Sequence, residues 1–258
     1  MGRYFVTGST DGIGLATVNA LGADGHEVVA HARSAERYEH VASRLDAASA
    51  VLIGDLSVPD EVRALADAAN RVGPFDAVIH NAGIGATETE RIETADGNAK
   101  VIAINALAPY VLISRMERPG RLVSVTSGMH LQGDTTLDDV RWTHRAWDGM
   151  QAYADSKLLL ITLAFAVARL WPDVPSNAVD PGWVPTKMAR GQKAPDDLSL
   201  AHVTQVWLAT SGDADALETG RYLHHQREID ALSLTRDPVF QDRVLSVLAE
   251  STGISFPN

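Results

Sequence analysis

The chain alternates short apolar runs with longer amphipathic stretches along most of its length, and that alternation limits the fold more than any other feature. Arg3-Tyr4-Phe5-Val6-Thr7 is β-prone, and Leu15 to Ala23 then carries Leu15, Val18 and Leu21 roughly on one helical stripe. His26 to Ala32, Ala50 to Gly54, Phe75 to His80, Arg121 to Thr126, Ser176 to Val179 and Gly220 to Leu223 read as further strands. Ser34 can cap a helix running to about Ala48, and Ser57-x-x-Asp60, with Pro59 near the first helical position, starts another. Gly97 to Arg115, Gln151 to Leu170 and Ala201 to Thr210 complete the set, with a further helix near Pro238 to Glu250. Strands that alternate with helices imply right-handed crossovers and a mostly parallel sheet covered on both faces. The expectation is an α/β, doubly wound, seven-stranded single domain over residues 1–258. An inserted segment at about 128–150 and a C-terminal helical extension at about 225–258 complete it.

The first strand and helix are joined by Thr7-Gly8-Ser9-Thr10-Asp11-Gly12-Ile13-Gly14. A strand, a tight glycine turn and a helix N-terminus form an anion site, because free backbone N–H groups and the helix dipole face the anion. The glycines permit positive φ and let a phosphate approach the backbone closely. This is the layout of a Rossmann-type dinucleotide site, although Gly8, Gly12 and Gly14 give G-x-x-x-G-x-G rather than the usual G-x-G-x-x-G.

Farther along, Tyr153 and Lys157 lie four residues apart on the Gln151–Leu170 helix, about 40° apart in azimuth, so they share a face. A free tyrosine titrates near pH 10. A nearby ammonium favours the phenolate, so Lys157 is expected to lower the Tyr153 pKa and make it a usable acid/base.

With this spacing the chain resembles the short-chain dehydrogenase/reductase family from about residue 3 to about residue 223. His80-Asn81-Ala82-Gly83 is similar to the family's N-A-G motif, and Asn105 sits where the family has its catalytic asparagine. Ser127 closes Leu122-Val123-Ser124-Val125-Thr126-Ser127, similar to the fifth strand and its catalytic serine. Tyr153 and Lys157 fit Y-x-x-x-K, and Pro181-Gly182 with Val184 and Thr186 fits P-G-x-x-x-T. The resemblance implies hydride transfer between a nicotinamide and a carbonyl or secondary alcohol, with Tyr153 as general acid/base. It also implies that Lys157 holds the nicotinamide ribose, Ser127 the substrate oxygen and Asn105 a relay water. The cofactor would lie along Gly8, Ser9, Thr10, Asp11, Gly12, Ile13 and Gly14, then Arg33 and Ser34, Asp55 and Leu56, Asn81, Ala82 and Gly83, and Pro181, Gly182, Val184 and Thr186. A protein of the same fold that binds the cofactor without turnover, as a sensor or structural element, is the alternative.

Arg33 follows the second strand, where such a fold meets the adenosine ribose, and Ala32 offers no carboxylate for a bare 2′-hydroxyl. That favours NADP(H), with NAD(H) possible. Asp11, where NADP-using members often carry a basic residue, argues the other way. The insert holds Trp142 and Trp147 and, like the C-terminal tail, resembles the retinol-dehydrogenase-like branch, which hints at a hydrophobic substrate. The same aromatics could equally be packing.

A net charge of −11 argues against nucleic acid or an anionic membrane surface. With no cysteine there is no disulfide framework, which suits a reducing, cytoplasmic setting, and no signal peptide is visible. His224-His225 does not read as a metal pair, because neighbours on a strand point to opposite faces. Past Lys157 the helix to Leu170 is apolar nearly all round, which calls for a partner beyond the sheet. A homodimer or dimer of dimers is expected there, unless the insert or tail covers the face within one chain.

Overall fold

In the computed structural model, which describes residues 1–85, 88–189, 191 and 193–257, eight strands form one sheet of order β3-β2-β1-β4-β5-β6-β7-β8. The elements run β1 (Arg3–Val6), α1 (Gly12–Ala23), β2 (Glu27–Ala32), α2 (Ala35–Glu39), β3 (Ala50–Ile53), α3 (Pro59–Val72) and β4 (Ala77–His80). Then come α4 (Lys100–Ile102), α5 (Ala108–Arg115), β5 (Leu122–Val125), α6 (Gly149–Leu170) and β6 (Ser176–Val179). The chain closes with α7 (Val203–Thr210), α8 (Ala214–Leu217), β7 (Tyr222–His224), β8 (Arg227–Glu228) and α9 (Pro238–Thr252).

β1 to β7 are parallel, and each strand splits its residues between two cores by the period of two. Phe5, Val29, Val78 and Leu122 face α3, α5 and α6, whereas Val6, Val28, Ile79, Val123 and Val179 face α1 and α7. The sheet order reverses between β1 and β4, which opens a crevice at the carboxyl ends of the strands.

Several elements differ from the sequence expectation. The sheet has eight strands rather than seven: β8 returns antiparallel on β7 through His225 and Gln226, both at positive φ (48° and 60°). The hairpin turn is made by two residues that carry no glycine signal, which hides it from the sequence. The helix after Ser34 stops at Glu39, followed by a 3-10 turn at Ala42–Arg44. A straight helix to Ala48 would not let Val41 and Leu45 both enter the core beside α1, as they do. Ser57 does not cap α3, since its N–H and Oγ–H both donate to Asp55 Oδ1 and Val58 takes the cap position ahead of Pro59.

The Gly97–Arg115 stretch begins its helix only at Lys100 and contains a π-helical turn at Ala103–Leu107. Pro109 has no N–H to return to the Asn105 carbonyl four residues earlier, so the α ladder must break at Asn105.

The insert folds onto α6. Trp142 is buried and donates to Asp155 Oδ2 at 3.1 Å, and Arg145 stacks on the Trp142 ring at 3.6 Å while pairing with Asp155. The C-terminal helix α9 starts on an Asp237 cap with Pro238 at its first turn and ends on Gly253 at φ 67°. Phe240, Val244 and Leu248 of α9 share the core cluster of Leu158, Leu159, Leu163 and Val167. Beyond it Phe256 stacks on Trp171 at 5.3 Å, and Tyr110 donates to the Ile254 carbonyl at 2.8 Å. No helix among the described residues is long and apolar enough to cross a membrane.

Candidate active site

The glycine turn is built by mutual backbone contacts at the β1 exit. Gly8 adopts φ 67°, and an added Cβ there would meet Ala82 Cα at 2.7 Å. Asn81 Nδ2 donates to the Thr7 and Gly8 carbonyls at 3.0 and 3.2 Å, while Thr7 Oγ1 accepts from the N–H groups of Asn81 and Ala82. Gly14 lies so close to the Gly8 carbonyl and Asn81 that no side chain fits. Ser9 Oγ–H closes onto the Val6 carbonyl. Helix α1 begins at Gly12, three residues earlier than the hydrophobic stripe suggests, because Asp11 caps it through the Gly12 N–H at 2.9 Å. The first-turn N–H groups of α1 therefore point out of a turn stripped of Cβ atoms, a cradle that fits a dinucleotide pyrophosphate. Thr186 lies over Gly12, with 3.4 Å between Thr186 Cγ2 and a Cβ built there, so Pro181-Gly182-Trp183-Val184 brings the segment across the turn.

His31, which the sequence reading passed over, holds this turn from β2. Its Nδ1 accepts the Gly8 N–H at 2.9 Å and its Nε2 bonds the Gly54 carbonyl at 2.8 Å, so the proton sits on Nε2. Burial keeps the ring below the usual imidazole range, against the opposing pull of Gly54 and Asp55.

At the adenosine end, Arg33 is exposed just past β2 and Ser34 caps α2 by accepting the Arg37 N–H. Arg37 is a second residue the sequence reading missed. It donates to Thr10 Oγ1 at 3.1 Å, to the Thr10 carbonyl at 3.0 Å and to Asp11 Oδ2 at 3.3 Å. Arg44 reaches the same carboxylate at 3.9 Å. Burial works against the charge of Asp55, but hydrogen bonds from Ser57, with Lys100 and Arg33 nearby, outweigh it and hold the carboxyl below the usual range. Leu56 beside it is buried in the core.

Asn105, Ser127, Tyr153 and Lys157 come from the π turn, the β5 exit and α6. Asn105 is fully buried; its Nδ2 donates to the Ile84 carbonyl and Ser156 Oγ, both at 3.0 Å, and its Oδ1 accepts the Ile84 N–H at 2.9 Å. A Cβ on Gly83 would stand 3.4 Å from Asn105 Oδ1 and 3.5 Å from Lys157 Nζ, so these groups share one wall of the crevice. Lys157 donates to the Val125 carbonyl at 3.0 Å and its Nζ lies 5.6 Å from the Tyr153 ring centre.

Burial pulls the Lys157 ammonium down to about 8, with Asp180 opposing. Tyr153 goes the other way from the sequence expectation: burial pushes it up to about 12, a hydrogen bond from Ser127 opposes, and Asp180 adds to the rise. Desolvation of the phenolate sets the direction, so the cofactor-free chain holds Tyr153 as a neutral phenol.

A stability test follows for Lys157. Its ordinary value is 10.5 and its folded value about 8, so between these the unfolded chain binds more protons and stability rises with pH. Below about 8 both states are charged and the burial cost is fully present. Lys157→Met is expected to melt at higher temperature than the parent at pH 7, and the gap should shrink as pH rises from 8 towards 10.5. Melting curves of the two cofactor-free proteins across that range provide the check.

Comparison with known proteins agrees with this geometry. A family model described as short chain dehydrogenase matches residues 3–197. A curated relative, short-chain dehydrogenase chry4 of Gibberella zeae, is 38% identical over 262 residues, with 100% of both chains covered. A crystal structure of an uncharacterized protein from Mycobacterium paratuberculosis matches with TM-score 0.83 at 22% identity, covering 100% of this chain and 96% of that one. A blue fluorescent protein from a metagenomic library, solved in complex with NADPH, matches with TM-score 0.67 at 26% identity over 86% of this chain and 95% of that one. A parallel sheet reversing at β1 and β4, a glycine turn at the switch point and a family match over most of the chain converge: the chain belongs to the short-chain dehydrogenase family, enzymes that use a nicotinamide dinucleotide.

Proposed function

We propose that the chain is an NADPH-dependent carbonyl reductase with Tyr153 as the proton donor. The observation that carries this is the half-buried Tyr153 phenol, held neutral beside Ser127 and Lys157. A reduced nicotinamide dinucleotide held at the Gly8–Gly14 turn would supply a hydride for the carbonyl carbon. Tyr153 gives its proton to the carbonyl oxygen as the C–O π bond opens, and Ser127 orients that oxygen by hydrogen bonding. Lys157 stabilises the phenolate left behind. Asn105, tied to Ile84 and Ser156, orders the π turn and hence the Gly83 wall. Leu131, Met150, Trp183 and Met188 are exposed on the segments that carry Ser127, Tyr153 and Gly182, which supports an apolar substrate body. A panel of hydrophobic aldehydes and ketones, followed by NADPH absorbance, tests the reading. NADPH binding without consumption across the panel would favour the sensor alternative.

NADP(H) is favoured over NAD(H) because Asp11 is engaged with the α1 cap and Arg37, so its charge no longer opposes a 2′-phosphate at Arg33. Arg33→Ala is expected to weaken NADPH binding by about 1.5–3 kcal/mol, the range for a charge-assisted hydrogen bond, and to leave NADH binding nearly unchanged. Titration of both cofactors into parent and variant checks this; a parent that prefers NADH sinks it. The same reading makes the chain a monomer rather than the homodimer expected from α6, since α9 lies on that face.

A further inference from the structure

Asp180 lies directly before Pro181-Gly182, at the exit of β6. Its carboxylate lies behind the Ser127 turn. Oδ2 accepts the Gly128 N–H at 2.9 Å and the Tyr222 hydroxyl at 3.1 Å, and Oδ1 accepts the Gly182 N–H at 3.0 Å. One carboxylate thus joins the exits of β5 and β6, the two strands that carry Ser127 and the Pro181-Gly182 segment. The joint is close: a Cβ on Gly128 would stand 3.3 Å from Oδ2. The Ser127 turn is held from its other side by His130, whose Nδ1–H donates to the Ser127 carbonyl at 2.8 Å and whose Nε2 accepts the Leu232 N–H at 3.2 Å.

We propose that Asp180 is a positioning residue for the reaction: it locks the Ser127 turn, and its fixed negative charge beside that turn keeps the neighbouring Tyr153 protonated, so that the acid is loaded for carbonyl reduction at neutral pH. The proposal rests on the reading of Tyr153 as proton donor.

The charged and titratable groups around Asp180 leave it this role. Lys157 and Tyr153 face it from α6, and its charge raises both, opposing burial at Lys157 and adding to it at Tyr153. Tyr222, from β7, is itself pushed up by burial and by Asp180, so it stays a hydroxyl donor. His130 is held below the usual imidazole range by burial, against Ser127 and Asp180, and adds no charge at neutral pH. His224 bonds the Asp180 carbonyl at 3.0 Å rather than the carboxylate. Asp196 approaches Gly182 from the following loop and accepts the Trp183 N–H at 2.6 Å. A charge that holds the proton on Tyr153 keeps the acid loaded for a carbonyl, and it raises the pH at which the phenolate needed to take an alcohol's proton is formed.

The test reads Tyr153 directly, as the ultraviolet difference spectrum between the chain and its Tyr153→Phe counterpart through a pH titration with saturating NADP+. Asp180→Asn is expected to lower the phenol midpoint by about one pH unit. The basic limb of kcat/KM for carbonyl reduction should move down with it. Asp180→Glu, which keeps the charge, should restore the parent midpoint. Tyr222→Phe, which removes one donor and keeps the charge, should not lower it. An unmoved midpoint in folded Asp180→Asn overturns the proposal, as does an equal fall in Tyr222→Phe, which would mark a packing effect. Asp180→Ser is the second neutral variant; loss of fold in both neutral forms while Asp180→Glu stays folded makes the residue purely structural and also overturns it. The spectral arm needs no substrate. A chain whose phenol shifts as expected but which reduces no carbonyl refutes the reductase reading and overturns the link to reduction, whereas an unmoved phenol in an active reductase overturns the role of Asp180 alone.

Discussion

Tyr153→Phe is expected to lower carbonyl turnover by about two to four orders of magnitude, the usual contribution of a positioned acid/base. The substitution removes one hydroxyl from a half-buried ring and leaves its packing in place, so fold and NADPH affinity should change little. The neutral phenol is what makes the expectation sharp. With the folded pKa near 12, the proton is present throughout the neutral range, and the reduction rate should be flat there until the acid ionises in the loaded enzyme. Steady-state kinetics beside a cofactor titration measure both quantities. A Tyr153→Phe protein that keeps most of its activity, or that loses NADPH binding in proportion, contradicts the assignment.

The second large effect lies far from the chemistry, in α9. Phe240, Val244 and Leu248 are almost fully buried against α6, and Trp171 and Tyr110 take the residues beyond the helix. Phe240→Ala is expected to cost about 3–5 kcal/mol and Leu248→Ala about 2–5 kcal/mol. Against a whole-protein stability of about 5–15 kcal/mol, the pair together should unfold much of the protein at 37 °C. Chemical denaturation of the single variants measures the costs. Light scattering of the intact chain should give a monomer at micromolar concentration. Ending the chain at Asp237 bares the apolar face of α6, so self-association or loss of fold is expected instead. An intact chain that is already dimeric would show that α9 does not substitute for a partner.

Of the four candidate catalytic residues, spacing on one helix pairs Tyr153 with Lys157, whereas Asn105 and Ser127 came from the family resemblance. Tyr153 and Lys157 share a helix, so their proximity is local geometry, and Asn105 and Ser127 lie on elements whose order was legible from alternating periodicity. The glycine turn was legible for the same reason, since positive φ at Gly8 and the close approach at Gly14 are backbone demands that only glycine meets. The π turn at Asn105 had a signal, Pro109 four residues on, that could have been used. Arg37, His31 and Asp180 were not found because each acts through a contact 22 or more residues away in sequence.

Helix and strand order, the switch-point crevice and the pairing of Tyr153 with Lys157 are set by local patterns: periods of two and 3.6, glycines where Cβ cannot fit, and side chains one helical turn apart. What only the tertiary structure decided is how charge and apolar surface are distributed among those parts. Whether Lys157 lowers Tyr153 depends on how deeply both are buried, and burial reversed the expected sign. Whether Asp11 opposes a 2′-phosphate depends on Arg37 closing onto it from the next helix. How much of the apolar α6 surface is covered within the chain depends on where α9, some 70 residues later, comes to lie. Desolvation, charge neutralisation and surface burial are properties of the assembled volume, and no window of sequence contains them.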